Sequence, residues 1–144
     1  MTTMQAMVLQ RPGEPLRLEE RPLPLPSSGE VRLRVLACAV CRTDIQIVDG
    51  ELPLVRYPIV PGHEVVGIVE ALGEGPSDLR LGQIVGLPWL GLSCGSCRYC
   101  ASGQENLCET PTFTGCTRDG VFASHALARA SFCLPLSDAQ AANP

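Results

Sequence analysis

Polar and apolar residues alternate strictly over Glu30-Val31-Arg32-Leu33-Arg34-Val35, the period of a half-buried strand, and this stretch delivers Cys38 to Cys41 at its end. Gln5 to Leu9 and Leu16 to Arg21 predict two strands joined by the turn Arg11-Pro12-Gly13, and the prolines at 22, 24 and 26 forbid a helix after them. The apolar runs Val65 to Ala71 and Ile84 to Leu90 predict buried strands on either side of a Gly/Pro/Ser/Asp turn, and Val121 to Leu127 a later one. Between them, Arg42 to Asp49 allows one or two helical turns closed by Gly50, before Pro53, Pro58 and Pro61 keep the chain extended. Leu134 to Pro144 reads as a polar, proline-bounded tail with a helix start at Ser137 to Ala142. There is no internal repeat and no domain boundary, so one domain over 1–144 is expected.

Composition turns these strands into a fold class. With 14 Gly, 13 Pro and 4% aromatic residues the chain is rich in turns and short strands, and 45% hydrophobic against 18% charged residues excludes disorder. A mostly β fold is the expectation, with a core large enough to do without disulfides. The net charge of −4 offers no attraction to nucleic acid or an anionic membrane surface, which leaves small molecules as partners. The longest uncharged run, Ile84 to Cys97, is broken by Pro88 and glycines and falls short of the ~20 apolar residues that span a bilayer. The first residues lack the basic and apolar regions of a secretory signal, so a cytoplasmic location is expected. Eight cysteines in such a compartment argue for metal ligation or free thiols over disulfides.

Two constellations offer chemistry. Gly62-His63-Glu64, after Pro61, puts an imidazole and a carboxylate in a tight bend at the mouth of a strand, where the imidazole is fixed well enough to bind a metal. Cys41-Arg42-Thr43-Asp44 adds a thiol, a hydroxyl and a carboxylate, and Cys with His from separate loops is the composition of a catalytic zinc site. The second constellation is Cys94, Cys97, Cys100 and Cys108, spaced C-x2-C-x2-C-x7-C. Four thiolates so close can surround one Zn²⁺ and leave no open position, which makes such a zinc structural. An iron–sulfur cluster and two disulfides are the alternatives, and a nucleic-acid-binding zinc ribbon is disfavoured because Arg98 is the only basic residue in the stretch.

Gly62-His63-Glu64-x-x-Gly67-x5-Gly73, preceded by Cys41-Arg42-Thr43-Asp44 and followed by the four cysteines, resembles the zinc-dependent alcohol dehydrogenases of the medium-chain dehydrogenase/reductase superfamily over the whole chain. The resemblance implies a GroES-like, partly open β-barrel with short helices and a zinc-binding lobe. It implies an enzyme in which zinc polarises an alcohol or aldehyde oxygen while hydride passes to or from NAD or NADP. Cys41 and His63 then match catalytic zinc ligands, Glu64 the carboxylate behind the metal, and Cys94, Cys97, Cys100 and Cys108 the structural zinc ligands. Thr43 matches the hydroxyl that takes the alcohol proton, though by itself it reads as a helix N-cap. Asp44 matches the residue orienting the ligand histidine, Trp89 a wall of the substrate pocket, and Arg42 a contact to the cofactor pyrophosphate. The full-length enzyme is expected to be a homo-oligomer acting on a small alcohol or aldehyde.

Three departures qualify the likeness. Gln46 stands where many of these enzymes place a relay histidine, and an amide cannot pass a proton by gaining and losing charge. Gly120-Val121-Phe122 has one of the two glycines often found there, and the chain reaches Pro144 before the third zinc ligand and before any nucleotide-binding domain. Gly73-Glu74-Gly75 begins a dinucleotide-binding match that Asp78 ends. A catalytic-domain fragment is therefore expected, with a zinc-stabilised binding module lacking catalysis as the other reading. If a third strong ligand exists within the chain, Cys116 and Cys133 are the candidates. Otherwise they and Cys38 are free thiols, and His125 is structural.

Overall fold

In the computed structural model, which describes residues 2–137 and Gln140, the alternating stretch is the central strand. That strand, β3 (Glu30–Cys38), buries Val31 and Leu33 on one face and turns Arg34 outward on the other. β3 pairs antiparallel with β4 (Val65–Leu72) on one side and β8 (His125–Arg129) on the other. β5 (Ile84–Leu87) and β9 (Leu134–Pro135) extend the sheet to five strands in the order β8-β3-β4-β5-β9. Register shifts at Arg32/Leu33 and Val35/Ala37 bend β3, and a bent strand lets the sheet curl. β1 (Thr3–Val8) and β2 (Arg17–Pro22) form a second antiparallel ribbon, and β6 (Leu90–Leu92) and β7 (Thr112–Phe113) a third. Three sheets that curl without closing into one ladder make the expected partly open barrel.

The largest core cluster gathers Val31, Leu33, Val65, Val69, Val85, Leu87 and Val121. Each such fully buried Val or Leu contributes roughly 1.5–3 kcal/mol relative to exposure. A second cluster, Leu9, Ile47, Ile59 and Cys116, packs under the helix α1 (Arg42–Asp49) and against Trp89 and Phe113. α1 begins where the sequence placed it and ends on Gly50 at φ 76. Its N-cap, however, is Cys41 and not Thr43: the Cys41 thiol accepts from the amides of Thr43 and Asp44 while the Asp44 carboxylate accepts from the Cys41 amide. That reciprocal pair is a capping box with sulfur in place of the usual hydroxyl.

Several expectations need correction. The run Ile84 to Leu90 is broken at Pro88 and Trp89 into β5 and β6, because proline has no N–H for a ladder. Val121 to Leu127 is a strand only from His125, since the amides of Val121 and Phe122 are spent on the carbonyls of Gly62 and Pro61. Leu134 and Pro135, read as tail, pair with Gly86 and Val85 as β9. The helix start at Ser137 to Ala142 falls largely outside the described residues. Among the described residues, no helix is long and apolar enough to cross a membrane.

Candidate metal centres

The first centre is assembled by the N-terminus of α1 and the bend before β4. Cys41 Sγ lies 3.1 Å from His63 Nε2, and the other ring nitrogen, Nδ1, faces Asp44 Oδ1 at 3.1 Å. Asp44 and His63 are each 3% exposed. The Asp44 carboxylate also accepts from the amides of Cys41 (2.9 Å) and Gly62 (3.2 Å), so one buried side chain ties the helix to the histidine loop. A carboxylate at Nδ1 favours a proton there and leaves Nε2 as a lone-pair donor beside the thiol. The Asp44 contact is bent away from an ideal hydrogen bond, and among the described residues no other acceptor reaches Nδ1.

Electrostatics prepare these groups for a cation. Burial pushes the Cys41 thiol up, but the Thr43 hydroxyl and amide and the neighbouring His63 outweigh it, and the thiol titrates below its ordinary range. Burial opposes ionisation of Asp44 and His63 as well. Their mutual contact, with backbone amides on Asp44 and Cys41 beside His63, nevertheless holds Asp44 low and His63 high. Two donors at about 2.3 and 2.0 Å from one tetrahedral zinc would lie about 3.5 Å apart, within half an ångström of what Cys41 and His63 present.

The bend itself is clamped by the segment 119–122. Gly120, Phe122 and Val121 amides donate to the carbonyls of Val60 (2.7 Å), Pro61 (2.9 Å) and Gly62 (3.1 Å). The Val60 amide donates to Asp119 Oδ1 at 2.9 Å, and Asp119 is paired with Arg21 of β2 at 3.3 Å. Proline has no amide and Gly62 gives its own to Asp44, so the backbone groups leading to His63 are all satisfied. Gly62 sits at φ +91, a conformation that disfavours side chains, with Phe122 packed where a Cβ would be. On the other side the Trp89 indole meets the imidazole edge-to-face at 4.8 Å and stacks on Phe113 at 4.8 Å.

Of the residues singled out in the sequence, Cys41, Asp44 and His63 have ligand atoms within 4.8 Å of one another, and Glu64 is not part of that group. Glu64 is exposed and borders an apolar groove of about 490 Å³ with Cys38, Leu87 and Leu134. Thr43 stands beside the thiol, and Arg42 is exposed. Cys116 and Cys133 are buried in the hydrophobic clusters and join neither donor group. His125 is occupied by Glu70 (3.2 Å) and Ser124 (3.0 Å), as a structural histidine would be. Sequence reasoning missed Phe113 and Asp119, which approach the centre only through tertiary contacts.

The second centre lies between β6 and β7. Cys94, Cys97, Cys100 and Cys108 have their sulfurs within 4.8 Å of one another, with 3.9 Å between Cys94 and Cys100 and 3.5 Å between Cys97 and Cys100. The sulfur–sulfur edge of a tetrahedral four-thiolate zinc is about 3.8 Å, so the set fits one such ion. All eight cysteines are free, and the separations of 3.5 and 3.9 Å are well beyond the roughly 2.05 Å of an S–S bond. Backbone amides point at the sulfurs: Ser96 and Cys97 bring Cys94 down to about 5, and Cys100 and Glu109 lower Cys97. Cys100, although the Ser93 hydroxyl pulls it down, is pushed up to about 11 by burial and the adjacent Cys97. A shared cation relieves that crowding of charge.

Residues 27–138 match the family described as the alcohol dehydrogenase GroES-like domain. The chain is 41% identical over 136 residues to an alcohol dehydrogenase of Geobacillus stearothermophilus, covering 94% of this chain and 40% of that protein. It is 42% identical over 131 residues to one of Rhizobium meliloti, covering 90% of this chain and 38% of the relative. Among solved structures, a short chain alcohol dehydrogenase of E. coli CFT073 complexed with NADH is similar at TM-score 0.88 and 34% identity, over 96% of this chain and 40% of that one. A cobalt- and zinc-bound thermostable alcohol dehydrogenase of Pyrobaculum aerophilum is similar at TM-score 0.86 and 32% identity, over 93% and 41%. The chain thus spans about 40% of the length of these relatives.

Proposed function

The chain belongs to the alcohol dehydrogenase GroES-like domain family, and from that premise we propose that it is the catalytic, zinc-holding domain of an NAD(P)-linked alcohol dehydrogenase interconverting alcohols with aldehydes or ketones. The observation that supports this reading above others is the pairing of Cys41 Sγ with His63 Nε2 at 3.1 Å, with Asp44 facing the opposite ring nitrogen. A binding module has no use for a donor pair of this kind.

Cys41 and His63 would hold the catalytic zinc, and Glu64, which lies outside their donor group, would have to swing in to act as the exchangeable carboxylate. Cys94, Cys97, Cys100 and Cys108 would hold the structural zinc. The catalytic ion, when bound, supplies Lewis-acid polarisation of the substrate oxygen. Asp44 keeps the His63 proton on Nδ1, and Trp89 walls the substrate side and excludes water from it. Thr43, two residues after Cys41, would take the alcohol proton on its hydroxyl oxygen while giving up its own, a relay that bypasses Gln46, which cannot carry a proton by changing charge. Arg42, exposed at the helix start, approaches the cofactor pyrophosphate. Since the chain spans about 40% of its relatives, a nucleotide-binding domain beyond the matched part would bind the nicotinamide cofactor, in a cytoplasmic homo-oligomer. The 144-residue chain alone is expected to hold metal without oxidising alcohols.

Cobalt substitution tests the reading. Metal-free protein titrated with Co²⁺ is expected to fill two classes of site with thiolate charge-transfer absorption, and Cys41→Ser should abolish one class and spare the other. A single class, unaffected by Cys41→Ser, would instead indicate a zinc-stabilised binding module.

A further inference from the structure

His63 meets the Cys41 thiol at Nε2, 3.1 Å away, but has no well-aligned partner at Nδ1. The Asp44 contact to Nδ1 is short but bent, and rotation of an imidazole about its Cβ–Cγ bond has a broad energy well. These two contacts leave the ring plane open to a further restraint from packing. Trp89 touches the ring, edge-to-face at 76°, and behind Trp89 lies Phe113, stacked at 20° between planes. Phe113 is anchored through its backbone. Its amide donates to Thr117 Oγ1 at 2.8 Å, and its carbonyl accepts from the amides of Cys116, Thr117 and Arg118. It is also paired with Leu90 across the β6–β7 ribbon, and the next residue, Thr114, donates to the Trp89 carbonyl at 3.0 Å.

We propose that Phe113 is a positioning residue of the Cys41–His63 centre: by stacking on Trp89 it seats the indole against His63 and so fixes the imidazole plane. Its effect on metal affinity rests on the reading of that centre as a metal site; its effect on the ring does not. Because a flat hydrocarbon face is what the indole needs, Phe113→Tyr should preserve the function and Phe113→Leu should lose it.

The chain has two histidines and one tryptophan, so the histidine ring protons in NMR spectra report His63, with His125 as an internal control. In metal-free protein, Phe113→Leu is expected to shift the His63 ring signals as the indole current moves away, leave those of His125 in place, and be rescued by Phe113→Tyr. In a Co²⁺ titration, Phe113→Leu is expected to weaken uptake at the Cys41-dependent site about tenfold, as loss of an orienting contact behind a ligand does, with uptake at the four-cysteine site unchanged. Unchanged His63 signals in Phe113→Leu would overturn the proposal. So would equal shifts of both histidines, which mark a general loss of packing, or unweakened Co²⁺ binding at the Cys41-dependent site. Should the wild-type chain show no Cys41-dependent cobalt band, the metal reading falls, and the metal-free histidine shifts alone decide the role of Phe113.

Discussion

Eight thiols in one chain behave as their surroundings dictate. Cys94 is brought down to about 5 by the amides of Ser96 and Cys97, whereas burial pushes Cys133 up to about 11 with only a weak opposing pull from Arg118. The thiolate is the reactive form, so metal-free protein at pH 7 is expected to be alkylated by iodoacetamide first at Cys94 and last at Cys133. Zinc loading should protect Cys94 and leave Cys133 unchanged; peptide mapping by mass spectrometry reads the order directly, and equal rates at the two would refute it. Asp44 faces a second test. Asp44→Ala leaves the buried Gly62 amide without an acceptor, a loss of about 1–3 kcal/mol for one unsatisfied donor, measurable by urea unfolding of the metal-free chain. At this scale the sequence showed which residue types lie near one another along the chain. It could not show that Cys41 caps its helix through sulfur, or that Asp44 and not Glu64 lies with the two donors, because both depend on how α1 and the Gly62 bend meet in space.

The elements were legible wherever period and punctuation agreed. β3 follows from its alternation and α1 from its Gly50 stop, and both are local properties. β8 begins late for a non-local reason, the 119–122 clamp, whereas β5 ends early for a local one, Pro88, which the reading of Ile84 to Leu90 as a single apolar run passed over. The clamp needs its glycine. A Cβ on Gly120 would lie 2.1 Å from the Gly62 carbonyl oxygen and 2.6 Å from that of Pro61, both rigid backbone atoms. Gly120→Ala is therefore expected to cost about 3 kcal/mol or more, at the upper end of overpacking, and to lower metal uptake at the Cys41–His63 centre by displacing the bend. Gly103→Ala, where nothing lies within 4 Å of the added carbon, meets only its φ of +73 and should be far milder. Thermal unfolding of the two variants side by side, together with metal content, would separate the steric effect from the backbone one.

For the whole molecule, composition pointed to a mostly β class, but the strand order β8-β3-β4-β5-β9 joins segments far apart along the chain, and no local pattern encodes such pairings. The four-cysteine lobe, by contrast, announced itself through spacing, since its contacts lie within one short stretch. Cys97→Ser is expected to remove one metal per chain and expose residues 93–111 to protease, because structural zinc supplies about 10 kcal/mol or more to small sites. The barrel, whose clusters of Val31, Leu33, Val85 and their neighbours exclude the lobe, should persist as a resistant product on a gel. The lobe also leaves and re-enters the barrel at one place, since Leu92 and Thr112 are partners across the β6–β7 ribbon. An insertion whose two ends already touch is a cassette. Replacing 93–111 with Asn-Gly, the pair suited to a two-residue hairpin, should close the ribbon on itself while Trp89 and Phe113 stay stacked outside the cut. By the same geometry the ribbon becomes a grafting port, where a foreign metal-binding or recognition loop with adjoining ends can be spliced beside the Cys41–His63 centre without redesigning the barrel beneath it.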